Sequence, residues 1–136
     1  MDFIRSIAIA ASGLRAQAGR IRVIAENIAN ADSTASGPGA DPYRRKIATF
    51  SSELDQTLEA QTVALNGIKT DPSEFRVKHE PGHPAADANG NVKYPNVNSL
   101  IEMTDMREAQ RSYEANINVI SASRRMIQRT IEILKS

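Results

Sequence analysis

The sequence predicts a mainly α-helical fold. Long N- and C-terminal helices pair as an antiparallel coiled-coil-like core, with a small loop and β-hairpin insert between them. Three observations carry that expectation. Both ends of the chain keep a three-and-four apolar rhythm, all six prolines fall between residues 31 and 99, and aromatics make up only 4% of the 136 residues. A compact core of this length usually recruits more large rings, so the 40% apolar content points to helical stripes.

The first element is an N-terminal core helix over residues 1–30. Ile4, Ile7, Ala11, Leu14, Ala18, Ile21, Ala25 and Ile28 alternate spacings of three and four, a heptad seam without a break. Arg5, Arg15, Arg20, Arg22 and Glu26 fall outside it. Many seam positions are Ala, which admits close helix approach but buries little area per residue. Such a stripe is weak alone and wants a partner.

Residues 31–99 read as a loop-rich insert with short β elements. Turn signals stand at Gly37-Pro38-Gly39, Asn66-Gly67, Pro81-Gly82 and Asn89-Gly90. Between them a short helical stretch is expected over Ser51 to Ala60. Extended segments are expected at Thr62 to Leu65, Phe75 to Lys78 and Val92 to Tyr94, with Asn66-Gly67 as a two-residue hairpin turn.

The helical period returns at Asn98 and defines a C-terminal core helix over residues 100–136. Ser99 is the expected N-cap, with Glu102 at capping-box spacing. Met103, Met106, Gln110, Tyr113, Ile117, Ile120, Arg124, Ile127, Ile131 and Leu134 form its seam. Polar Gln110 and Arg124 either set register or are solvated, with Ala109, Asn116, Val119 and Met126 offering a neighbouring stripe; periodicity leaves both readings open. Helices of this length, roughly 45 and 55 Å, carry stripes wider than one partner covers. That points to assembly, although a private core within one monomer fits the same periodicity.

Composition excludes several function classes. A formal charge of +1 argues against a nucleic-acid binder or a polybasic membrane anchor, and the absence of cysteine removes disulfides and thiolate chemistry. No run approaches the length of a membrane helix. The apolar run Ile7 to Ala11, with Asp2 ahead of it, is too short for a cleaved secretory signal. His79, Glu80 and His83 spell the zinc-protease pattern, which works only when a helix puts both imidazoles on one face. Pro81, Gly82 and Pro84 forbid that helix, so the reading is a polar turn, with no metal and no cofactor. Arg44-Arg45-Lys46 lacks interleaved aromatics and reads as a solvated loop or a salt bridge to a neighbouring subunit. No nucleophile–base pair suggests an enzyme.

Ser12-Gly13-Leu14 followed by Ile24-Ala25-Glu26-Asn27-Ile28-Ala29-Asn30 resembles the N-terminal signature of the flagellar rod and hook axial family. Pro42 to Lys46 with Phe50, Pro81 to Gly90, and Val92-Lys93-Tyr94-Pro95-Asn96-Val97-Asn98 resemble its proximal-rod members, as do Glu102-Met103, Arg111-Ser112-Tyr113 and Ala115-Asn116. The resemblance covers nearly the whole chain. It implies a structural subunit that self-assembles through its terminal helices into the drive shaft crossing the periplasm. It also implies export through the flagellar type III apparatus. Other proximal and distal rod proteins and the junction protein at the membrane ring are the expected partners, with no nucleic acid and no membrane insertion.

On that reading the assembly interface comprises Ile7, Ala11, Leu14, Ala18, Ile21, Ala25 and Ile28, with Met106, Tyr113, Ile117, Ile120, Ile127, Ile131 and Leu134. Its family motif positions are Ser12, Gly13, Leu14, Asn27, Ile28, Ala29, Asn30, Pro95, Asn96 and Asn98. Asn27 and Asn30 are expected to cap the helix end or to bond across subunits. The terminal segments are expected to order fully only on docking. The competing expectation is a helical adaptor outside the flagellum, forming discrete soluble oligomers.

Overall fold

The computed structural model describes residues 2–136. Its elements are α1 (Phe3–Ala29), β1 (Lys46–Asp55), β2 (Ala60–Thr70), β3 (Arg76–His79), β4 (Asn91–Tyr94) and α2 (Ser99–Lys135). The fold is mainly helical with a β-bearing insert. The strands form two separate two-stranded sheets, β1–β2 and β3–β4.

Local chemistry sets the helix ends. Asp2 caps α1, its Oδ1 accepting from the Ile4 and Arg5 amides at 3.0 and 3.2 Å. Asn30 closes the other end, where its Nδ2 and its backbone N–H both donate to the Glu26 carbonyl. At the start of α2 the cap is Asn98, one residue before the expected Ser99. Its Oδ1 accepts from Leu100 and Ile101 N–H. A carboxamide oxygen aimed at free helix amides does there what the serine hydroxyl was expected to do.

The helical stretch expected over Ser51 to Ala60 is instead the outer half of β1 and the reversal that follows. Isolated propensity is weak here, and pairing with β2 overrides it. The Asn66-Gly67 hairpin turn is likewise displaced: that step lies inside β2. Asp55 makes the reversal instead, its Oδ1 accepting from Thr57 and Leu58 N–H, with Glu59 in the left-handed region at φ 49°. The other extended expectations fall on β2, β3 and β4. β3 pairs antiparallel with β4 in the register Arg76 to Tyr94 and His79 to Asn91.

The chain divides into two compact units. One holds the residues up to Ile21, Ala48–Gly67 and Arg107–Ser136; its buried side chains are small, among them Ala10, Ser12, Ala16, Ala60, Ala109 and Ser123. The other holds Arg22–Ile47 and Ile68–Met106, with Val23, Ile24, Val92, Tyr94 and Val97 buried. Among the described residues, no helix is long and apolar enough to cross a membrane.

Candidate assembly surface

In the first unit α1 turns its small residues inward. Ser12 is 4% exposed; its Oγ donates to the Ile9 carbonyl at 2.6 Å and accepts from Val63 N–H of β2 at 3.2 Å. Gly13 faces α2: a Cβ there would lie 2.8 Å from the Asn116 amide nitrogen. A Cβ at Gly19 would lie 3.0 Å from Leu65 of β2. Arg20 pairs with Glu108 of α2 at 3.6 Å. Two of the motif residues, Ser12 and Gly13, therefore hold this unit together.

At 3.6 residues per turn, the expected seam of α1 lies on the side opposite Ser12 and Ala16. None of its members is buried. Ile7, Ala11, Leu14 and Ile21 are half-buried, Ala18 is exposed, and Ile4 is 70% exposed. In the second unit Ala25 is exposed and Ile28 half-buried, while Val23 and Asn27 take the inner face. Leu14 of the motif belongs to the outward set and Ala29 is exposed.

On α2 the inner face is a mixture of the two stripes. Met106, Tyr113, Ile120 and Ile127 are half-buried, joined by buried Glu102, Ala109 and Ser123 and by half-buried Asn116. Gln110 and Arg124 are exposed, the solvated alternative, and so are Val119 and Met126. Ile117, Ile131 and Leu134 are exposed, Leu134 at 80%. Near the chain ends Phe3, Ile4, Ile127 and Ile131 line an apolar hollow of about 420 Å³.

In the second unit the remaining motif residues form a polar node. Asn27, 1% exposed, pairs its amide with the Lys46 backbone as a neighbouring strand would. Its Nδ2 donates to Lys46 O at 2.8 Å and its Oδ1 accepts from Lys46 N–H at 2.9 Å. Tyr43 Oη donates to the same Oδ1 at 2.7 Å, and Glu102 Oε2 accepts from Nδ2 at 3.3 Å. Asn96 does similar work: its Oδ1 accepts from Arg45 N–H at 2.7 Å, and its Nδ2 donates to the Asp71 and Ser73 carbonyls at 3.1 Å. Pro95 supplies a carbonyl to Arg76 Nε.

Arg45 is the cation of this node. It bonds Glu102 through Nε, reaches Asp71 at 3.4 Å, and lies 3.8 Å from Asp105. Burial alone would lower its pKa, but the hydrogen bond and charge of Glu102, with those of Asp71, outweigh this and raise it. The Ser73 N–H and hydroxyl, helped by Arg45, hold Asp71 below the usual carboxylate value. Burial, with Glu26 and Glu102 nearby, pushes Tyr43 up to about 12.

Arg44 and Lys46 are also engaged within the chain. Arg44 donates to the Asp71 and Ser73 carbonyls at 2.9 Å and stacks over Phe75, while Lys46 pairs with Glu26. The basic triplet is therefore neither a free loop nor a free patch. Sequence reasoning missed this node because Arg45 and Glu102 stand 57 positions apart, and Glu102 suggested a helix cap. The zinc-like triplet is not helical. His79 ends β3, Glu80 accepts from Tyr94 Oη at 2.8 Å, and His83 Nδ1 accepts from Ala85 N–H in the turn.

Comparison with known proteins agrees with this layout. A family model described as flagella basal body rod protein matches residues 7–35, and one described as flagellar basal body rod FlgEFG protein C-terminal matches residues 88–133. The chain is 54% identical to the flagellar basal-body rod protein FlgC of Agrobacterium fabrum, over 94% of this chain and 92% of that protein. It is 38% identical to FlgC of Yersinia enterocolitica, over 98% of each chain. With FlgC of Bacillus subtilis the identity is 36%, over 99% of this chain and 100% of the relative. These matches leave no support for an adaptor outside the flagellum. The chain belongs to the FlgC family of flagellar basal-body rod proteins, and it is a structural subunit of that rod rather than an enzyme.

Proposed function

We propose that the subunit builds the rod by burying its outward helical stripes against neighbouring subunits. The observation that carries this is the set of large apolar side chains left in solvent, Ile4 on α1 and Ile117, Met126, Ile131, Ile133 and Leu134 on α2, each at least 41% exposed. Single exposed apolar residues are ordinary, but a series of them along α2, with Ile4 exposed near the start of α1, marks an interaction surface. The contacts of Gly13 with Asn116 and of Arg20 with Glu108 support antiparallel, coiled-coil-like pairing of α1 and α2. The interface comprises Ile7, Ala11, Leu14, Ala18, Ile21, Ala25 and Ile28 on α1. On α2 it uses Ile117, Ile131 and Leu134, with Met106, Tyr113, Ile120 and Ile127 shared between the chain's own packing and its neighbours.

Docking buries this surface at about 25 cal/mol per Å² and offsets the entropy of ordering the terminal segments. Proximal and distal rod proteins and the membrane-ring junction protein are the neighbours on this reading. The shaft crosses the periplasm, and the chain reaches it unfolded through the flagellar type III apparatus. The test is Ile4→Asp and Leu134→Asp in the flagellated source cell, at positions 70% and 80% exposed in the free chain. Both variants should fold and be exported yet be missing from purified hook–basal bodies, leaving cells non-motile. Normal incorporation and swimming would sink the proposal.

A further inference from the structure

The chain contains two Asn-Gly steps, Asn66-Gly67 and Asn89-Gly90, and neither belongs to the helical stripes. Their surroundings differ. Gly90 donates its N–H to the Asp87 carbonyl at 3.0 Å, and a Cβ there would lie 2.9 Å from His79 and 3.0 Å from Pro81. Asp87 Oδ1 also accepts from the Asn89 and Asn91 amides at 2.9 Å, so the turn is fixed on both sides. Asn66 and Gly67 are both exposed, and a Cβ at Gly67 would meet nothing within 4 Å. Gly67 sits at φ +138°, a conformation that side chains rarely adopt.

We infer that Asn66 is a site of spontaneous deamidation and isoaspartate formation, and that the fold protects Asn89. The Gly67 backbone nitrogen attacks Asn66 Cγ. A new N–Cγ bond forms, the Cγ–Nδ2 bond breaks, and the amide nitrogen leaves as ammonia with the Gly67 proton. Water then opens the cyclic imide. Cleavage at Cγ gives aspartate in a normal backbone, and cleavage at the α-carbonyl gives isoaspartate. Either product replaces a neutral side chain with a carboxylate, taking the formal charge from +1 to zero. Isoaspartate also lengthens the β2 backbone by one atom and disturbs the pairing register beyond it.

The test is peptide mapping by mass spectrometry, with enzymatic isoaspartate labelling, on the full chain held at neutral pH and physiological temperature. Asn66 should accumulate both products, with Asn89 converting about tenfold more slowly or less. In concentrated urea the two rates should converge. Equal rates in native buffer, faster conversion at Asn89, or an Asn66 as protected as Asn89 would overturn the inference.

Discussion

Arg45 donates its Nε–H to Oε1 of Glu102, so the segment leading into β1 is tied to the first turn of α2. Glu102 is 1% exposed, and its other oxygen accepts from Asn27 at 3.3 Å. One carboxylate therefore joins the end of α1, the segment leading into β1 and the start of α2. The family motif residues Asn27 and Asn98 stand at the ends of those helices, and Asn96 joins the node through the Arg45 N–H. Asn27, Asn96 and Asn98 of the motif thus brace the second unit, as Ser12 and Gly13 do the first.

Breaking this pair from one side should cost more than removing it entirely. Arg45→Met leaves Glu102 buried without its cation and should destabilise by about 3 kcal/mol. The Arg45→Met, Glu102→Leu double variant should recover a substantial part of that loss. Urea unfolding followed by circular dichroism measures both, and additive losses would show that the two side chains act independently.

Asn27→Ala should cost about 2–4 kcal/mol, because it orphans the Lys46 N–H and carbonyl and the Tyr43 hydroxyl together. Asn27→Asp keeps the acceptor but loses the donor and sets a second carboxylate beside Glu102, so it should not rescue. Loss of less than about 0.5 kcal/mol for Asn27→Ala, within the range of an ordinary surface change, would refute the strand-like pairing.

The helices were legible because their signal is local: the seam rhythm and the absence of proline located Phe3–Ala29 and Ser99–Lys135 to within a residue or two. The direction in which each stripe faces was not. Ile7 and Leu14 outnumber Ser12 and Gly13 in apolar bulk, yet the small residues face inward because only they admit β2 and Asn116 at contact distance. Strand β1 was hidden for another reason. Ser51 to Asp55 carry little intrinsic preference, and their partner is set by the Asp55 turn rather than by the stronger-looking Asn66-Gly67 signal.

Gly13 offers a test of helix approach. Glycine to alanine within a helix ordinarily gains about 1 kcal/mol. Here the new methyl would lie 2.8 Å from the Asn116 side chain, which itself donates to the Ser112 carbonyl at 3.0 Å. Gly13→Ala should therefore gain nothing in the native background but stabilise by about 1 kcal/mol when Asn116 is already Ala. Equal effects in both backgrounds, by thermal melting, would mean that the two positions do not touch.

Two groups of the node give opposite pH dependences. The Ser73 hydrogen bonds and Arg45 lower the pKa of Asp71 in the fold from its ordinary 3.8. The ionised form is the stabilised one, so its contribution is complete above that value and is lost as pH falls through the lower folded value. Asp71→Asn should flatten that part of the acid unfolding curve. Tyr43 runs the other way. Burial and the nearby Glu26 and Glu102 carboxylates raise it from 10.0 to about 12, which favours the neutral phenol. Its contribution is complete below pH 10 and declines as the unfolded chain ionises first, disappearing near 12. In a tyrosinate absorbance titration, Tyr43→Phe should remove the component that titrates near 12. Its persistence in the variant would place that ionisation on another tyrosine and remove Tyr43 from the buried network.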